Sequence, residues 1–229
     1  MKTNARRTMK ALWMITVAGL AGVSAPAGEP VPLELELPPP QLVGTLVPIE
    51  GLPHLAPARD RARPPRMVPA GTQNLARGKP VTSSDPWPII GELEFVTDGR
   101  KDSYADFFVE LDHGLQWLQI DLEQRVGVHA IAVWHYHAEA RVYHNVMVQL
   151  SDDPDFVNEV TTVFNNDHDN SAGFGAGQDY AYVDTHEGLL IPVDGVRARY
   201  IRLYSEGNTS TDTNHYIEVE VHGLPEPLE

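Results

Sequence analysis

From Asn74 onward, apolar and polar residues alternate in short runs. In Trp117-Leu118-Gln119-Ile120-Asp121-Leu122 the apolar Leu118, Ile120 and Leu122 share one side, and Gln119 and Asp121 the other. Successive strand side chains point to opposite faces, so this spacing predicts a half-buried β-strand. The same reading turns Ile201 and Leu203 inward within 199–204. Within 216–222 it turns Ile217, Val219 and Val221 inward and leaves Glu218 and Glu220 outward. Further strands are expected over 128–134, 145–150, 160–164 and 189–193. No window carries a 3.6-residue apolar stripe beyond two turns. The pattern therefore predicts an all-β sandwich or barrel. Segments 165–179 and 205–215 are too long for hairpin turns, and loops of that size are where binding sites concentrate.

The alternation fails upstream. Residues 28–73 are Pro-rich, with Pro38-Pro39-Pro40 and Pro64-Pro65, and contain a basic run over 59–66. Such a stretch favours extended conformations and buries too little apolar surface to fold alone, so a flexible linker is expected. Only 33–37, Leu-Glu-Leu-Glu-Leu, has the alternation of an edge strand. Residues 1–27 read as a cleavable signal peptide. Arg6, Arg7 and Lys10 precede the apolar stretch 11–23, and Ala25-Pro26-Ala27 supplies the small-x-small cleavage pattern before Gly28. That apolar stretch falls short of the ~20 residues that span a bilayer. The expected organisation is a signal peptide 1–27, a disordered linker 28–73, a β-sandwich 74–223 and a tail 224–229. The expected location is secreted or periplasmic.

Charge narrows the partners. The chain carries 17 basic and 32 acidic residues, a formal net charge of −15. Lys2, Arg6, Arg7 and Lys10 fall in the leader, so the remainder is more acidic still. Such a surface repels phosphate backbones and anionic membranes but tolerates divalent cations and neutral sugars. With no cysteine, thiol catalysis, Cys-ligated zinc, disulfides and a lipidated cysteine are all excluded. There is no nucleophile elbow, P-loop or zinc-protease helix, and the sequence is read as non-catalytic.

Five motifs resemble one family. Residues 74–84, Asn-Leu-Ala-Arg-Gly-Lys-Pro-Val-Thr-Ser-Ser, resemble the opening of discoidin (coagulation factor type C) domains. Val96-Thr97-Asp98-Gly99 resembles their Asp-Gly turn, and 117–122 one of their inner strands. Residues 196–203 and 217–223 resemble their closing strands. The motifs occur in the family's order over about 74–223. The resemblance implies a jelly-roll sandwich of the galactose-binding-domain-like kind, similar to family-32 carbohydrate-binding modules. It further implies that loops at one end bind a glycan, with a structural calcium beside the Asp-Gly turn. Carried over residue by residue, it nominates Asp98, Asp102, Ser103 and Glu218 for calcium, a cation that prefers several oxygen ligands.

For the sugar it nominates Arg141 and the histidines His135 and His137. Glu139 would accept hydroxyl protons, and Trp87 or Phe174 would stack on the ring. Two alternatives stand beside this. His135 and His137, with His144 or the Asp167-His168-Asp169 loop, would form a transition-metal site. Otherwise Arg141 pairs with Glu139 or Asp153 in a structural network. The functional expectation is a lectin-like module. The competing one is an envelope protein-interaction or structural domain with no sugar ligand.

Overall fold

The computed structural model describes residues 29–41, 49–59, 61–103 and 107–225. The expected signal peptide and most of the tail lie outside the described residues. The strands are β1 (Val31–Pro32), β2 (Met67–Val68), β3 (Gln73–Asn74), β4 (Val81–Ser83), β5 (Val109–Leu111) and β6 (Leu115–Trp134). They continue as β7 (Met147–Ser151), β8 (Thr161–Asn165), β9 (Leu189–Glu206), β10 (Asn214–Tyr216) and β11 (Glu218–Pro225). One short 3-10 turn, Leu93–Thr97, precedes the Asp-Gly turn.

The two long strands organise everything else. β6 and β9 run antiparallel from Leu115↔Glu206 to Val133↔Leu189. The alternation suggested four separate segments, and the structure fuses them in pairs. The polar Glu123-Gln124-Arg125 interruption is absorbed as an irregularity between Asp121 and Val126, with Glu123 at φ 64°. Pairing resumes beyond it. Before the irregularity, β6 pairs with β4 and β9 with β7, which in turn holds β8. After it, β6 pairs with β11, which carries β3. The ladder thus folds into two layers around Leu118, Ile120, Leu122, Ile131, Val133, Ile201, Leu203, Val219 and Val221, each at most 1% exposed. Burial of each such side chain contributes about 1.5–3 kcal/mol. The all-β jelly-roll sandwich is the observed fold.

The outward row of β11 departs from expectation. Glu218, Glu220 and His222 do alternate away from the core, yet all three are buried. For Glu220 and His222 the cover comes from the Pro-rich segment. β1 and β2 pair at Val31↔Val68 and Pro32↔Met67. The Lys101 ammonium bridges the Glu220 carboxylate at 2.6 Å and the Glu36 carbonyl at 2.8 Å. Arg59 meets Glu187 at 2.7 Å, and Arg66 donates to the Val193 carbonyl at 3.1 Å. The reading of 28–73 as a free linker is therefore corrected for the described residues. Such a segment cannot build its own core, but it can dock on one through ion pairs and main-chain bonds. The edge strand expected at 33–37 is also not formed. The pairing falls at Val31–Pro32, and beyond it Leu33 still donates to the Arg66 carbonyl at 2.7 Å.

Candidate functional site

Strand registers place the functional loops at one end. Leu115↔Glu206 and Met147↔Asn165 close one layer, while Val133↔Leu189 and Glu218↔Trp134 close the other. Segments 135–146, 166–188 and 207–213, with the described parts of 98–108, all leave from that end. The tight connection 152–160 lies at the opposite one.

Within 135–144 the side chains expected to meet a sugar are mostly inward. His135 is fully buried, its ring stacked on Tyr143 with centroids 4.3 Å apart. Its Nδ1 is 3.2 Å from the Tyr182 hydroxyl and 3.5 Å from Asp184. His137 is 2% exposed, with Nε2 2.8 Å from the Lys101 carbonyl oxygen. Burial holds its imidazole below the usual range, outweighing that carbonyl. The sequence reading of these two histidines as surface ligands is corrected. On a strand end they share one side, and that side faces the interior.

Arg141 donates from Nε and Nη2 to the single Glu139 oxygen Oε2, at 3.1 and 2.8 Å. Its guanidinium lies 4.6 Å over the Tyr136 ring. Phe108 packs edge-on to Tyr136 at 5.2 Å, and His215 lies 6.0 Å away. In this platform the Arg141–Glu139 pair is the one the network alternative expected, while Arg141 Nη1, His215 Nδ1, His135 Nε2 and His137 Nδ1 are buried without a partner. His215 is held neutral. Burial, helped by the nearby Arg141 and His135 charges, pushes its imidazole down to about 3. Glu110 at 3.5 Å does not offset this.

Beside the platform lies a cleft of about 420 Å³, lined in part by His54, Tyr143, His144, Asn145, Asn166 and His168. Main-chain bonds fix its floor. His144 donates to Gly207 O at 3.1 Å and accepts from Glu206 N–H at 2.9 Å. Asn166 Oδ1 accepts the Val146 N–H at 2.7 Å. Three buried polar atoms of the lining have no hydrogen-bond partner: Asn166 Nδ2, His168 Nε2 and the Tyr143 hydroxyl. Burial holds the Tyr143 phenol well above its usual range and hence protonated. Its hydroxyl sits in the field of Arg141 without a hydrogen bond of normal geometry.

Sequence reasoning named His144 in a metal alternative, allowed the loop of His168 a part in a metal or ligand site, and did not single out His54 or Tyr143. The long polar loop 165–179 was the available signal for His168 and Asn166. For His54 the sequence offered none. Among the described residues no group of three or more His, Asp or Glu side chains converges as metal ligands. The Asp167 carboxylate is committed to the Ser171 and Ala172 N–H groups at 3.1 and 3.0 Å. Trp87 is 85% exposed on a loop whose next residues bond Glu110. Phe174 tilts on Tyr204 at 4.8 Å. Neither ring lines the cleft.

The calcium candidates are partly assembled. Glu218 is fully buried; its Oε2 accepts the Gly99 N–H at 3.0 Å and its Oε1 has no partner. Burial first, then Glu220 and Asp98, push this carboxyl up to about 9. Asp98 Oδ1 accepts the Arg100 N–H at 2.7 Å. Gly99 has φ +86°, and a Cβ there would strike the Arg77 guanidinium. Ser103 is buried and its hydroxyl oxygen faces the His137 N–H at 3.4 Å. Asp102 is half-buried beside it. One orphaned, buried carboxylate oxygen next to a tight turn fits a hard cation, provided main-chain oxygens complete the shell.

No protein-family model matches the sequence, and no curated protein does. Solved structures do match. A family 89 glycoside hydrolase from Clostridium perfringens, in complex with PUGNAc, matches with TM-score 0.50 and 20% identity over 68% of this chain and 16% of that one. Chitosan-binding module 1 of a chitosanase/glucanase from Paenibacillus sp. IK-5 gives 0.46 and 20%, over 65% and 98%. The CBM32 of AlyQ, in complex with 4,5-unsaturated mannuronic acid, gives 0.46 and 21%, over 62% and 92%. At these identities the likeness is one of fold, the discoidin-like jelly roll to which the sequence motifs point.

Proposed function

We propose that this discoidin-like sandwich is a non-catalytic carbohydrate-binding module that holds a compact sugar in its loop-end cleft. The observation that carries the reading is one concave surface whose lining includes Asn166, His168 and Tyr143, each with a buried polar atom left without a partner: Asn166 Nδ2, His168 Nε2 and the Tyr143 hydroxyl. A buried polar group left unpaired costs about 1–3 kcal/mol. A ligand rich in hydroxyls recovers that cost, because each hydroxyl both donates and accepts. The volume lies toward the small end of ligand sites, about 300–1,000 Å³, which suits one or two sugar rings. The exposed His54 ring, stacked on His168 by one face, offers its other face to sugar C–H groups. Asn145 and Asp169 stand at the cleft for the remaining hydroxyls. Arg141 acts from behind, through Tyr143, rather than as a direct ligand.

Calcium belongs to the same reading as a brace. Glu218, with Asp98 and the oxygens of Asp102 and Ser103, would hold it. It would supply the countercharge that the buried Glu218 carboxylate lacks. The leader-like residues 1–27 support export to the periplasm or beyond. No catalytic set emerges among the loop-end residues.

The test is binding of the mature chain, with calcium, to a panel of neutral, amino and acidic oligosaccharides, beside a His168→Ala variant. Binding by the native protein that the variant loses supports the module and places the site. Silence from folded, calcium-loaded native protein overturns it and leaves a protein-contact role for the exposed Trp87 and Phe174.

A further inference from the structure

The Pro-rich segment does more than cover a sheet. Between Glu50 and Arg59 it crosses the loop end and bonds to loop 166–188. Leu55 bridges Ala181 in parallel register. Ala56 N–H donates to Ala181 O at 2.7 Å, and Ala181 N–H donates to His54 O at 3.0 Å. Downstream, Arg59 pairs with Glu187 at 2.7 Å, and Arg63 donates to the Glu187 carbonyl. The basic run, unexplained by the sequence reading, is thus an anchor on an acidic body.

This anchoring delivers one side chain to the cleft. His54 takes φ +60°, a left-handed conformation uncommon for a residue with a side chain. Its ring stacks on His168, with centroids 3.8 Å apart and planes at 21°. Leu52, Pro53 and His54 are cleft-lining residues facing the shelf formed by 142–145 and 166–169. His168 Nε2, one of the partnerless atoms, belongs to the ring on which His54 lies. The His54 ring itself makes no hydrogen bond among the described residues and is exposed. The opposite wall of the cleft is therefore built by a segment outside the 74–223 sandwich.

We propose that His54 is a sugar-contacting, specificity-determining residue, and that residues 50–59 are an integral wall of the binding site. This rests on the carbohydrate-binding reading above. With the strap in place the cleft closes on one side, and a sugar ring seated on the shelf of 142–145 and 166–169 meets the His54 imidazole edge.

The experiment measures affinity of the mature full chain for each sugar of the same panel, native against His54→Ala and His54→Phe. The phenylalanine variant keeps a ring on His168 and hence the strap's docking. An unchanged rate of trypsin cleavage at Arg59, Arg61 and Arg66 reports that docking. The expected result is a loss of tenfold or more for His54→Ala. For His54→Phe the expectation is a loss of fivefold or more, or a changed ranking of the panel sugars, at native cleavage rate. Native affinity and ranking in both variants would overturn the proposal while leaving the carbohydrate-binding reading intact. No binding by native protein would overturn both.

Discussion

Two polar patches adjoin at the loop end, and they differ in whether a cleft opens on them. On the platform, Arg141 is forked on Glu139 and lies over Tyr136, while His215 is packed neutral among aromatic rings. In the cleft, Asn166, His168 and Tyr143 each leave a buried polar atom without a partner. Arg141 Nη1 and His215 Nδ1 are also without a partner, so what separates the two patches is the cleft that opens on the second. A run of His, Arg and aromatic residues reports chemical capacity, but capacity enclosed by packing binds nothing else. Unused capacity on a concave surface is the better sign of a site.

The largest expected effect breaks the enclosed patch with acid. The His215 imidazole is pushed down to about 3 from an ordinary 6.5. Between those values the unfolded chain binds a proton that the folded chain does not. Stability therefore falls on acidification from 6.5 toward 3, by about 1.4 kcal/mol per pH unit from this group. Denaturant titrations of native protein and His215→Phe across that window should show a shallower slope in the variant.

Next in size is Asn166→Ala, which attacks the patch at the cleft. It should weaken sugar binding at least tenfold. It should also cost about 1–3 kcal/mol of stability, because the buried Val146 N–H loses its acceptor. Calorimetric titration and chemical denaturation separate the two effects.

A third test concerns Glu218, whose carboxyl is pushed up to about 9 from 4.5. Between those values the unfolded state is ionised and the folded state keeps its proton, so metal-free stability falls as pH rises through the window. Calcium should reverse this at pH 8, raising the melting temperature of native protein by about 2–4 °C for each kcal/mol gained. Glu218→Gln should show neither the pH slope nor the calcium response.

The smallest effect is expected from Glu139→Ala. The Glu139 side chain is 44% exposed, and a half-exposed ion pair contributes under about 1 kcal/mol. Sugar affinity should change less than threefold, which would sharpen the separation of platform from cleft.

Alternation alone carries the core. Leu118, Ile120, Leu122, Ile201, Leu203, Val219 and Val221 are inward in the sequence reading and buried in the structure. Period-two spacing is a local property, and every strand repeats it independently. The motif order likewise pointed to the jelly roll. Satisfaction of polar groups is different, because it depends on partners far apart in the chain. Glu139 sits two residues from Arg141, yet nothing local says that both remain together after folding. His54 reaches His168 across 114 positions of sequence, and Glu218 reaches Gly99 across 119. Glu220 and His222 alternate outward as expected, yet a segment read as linker buries them. Which polar residues end up paired, and which stay open to a ligand, was settled by long-range packing. A docked strap or a closing loop supplies or withholds a partner without leaving any mark in local periodicity.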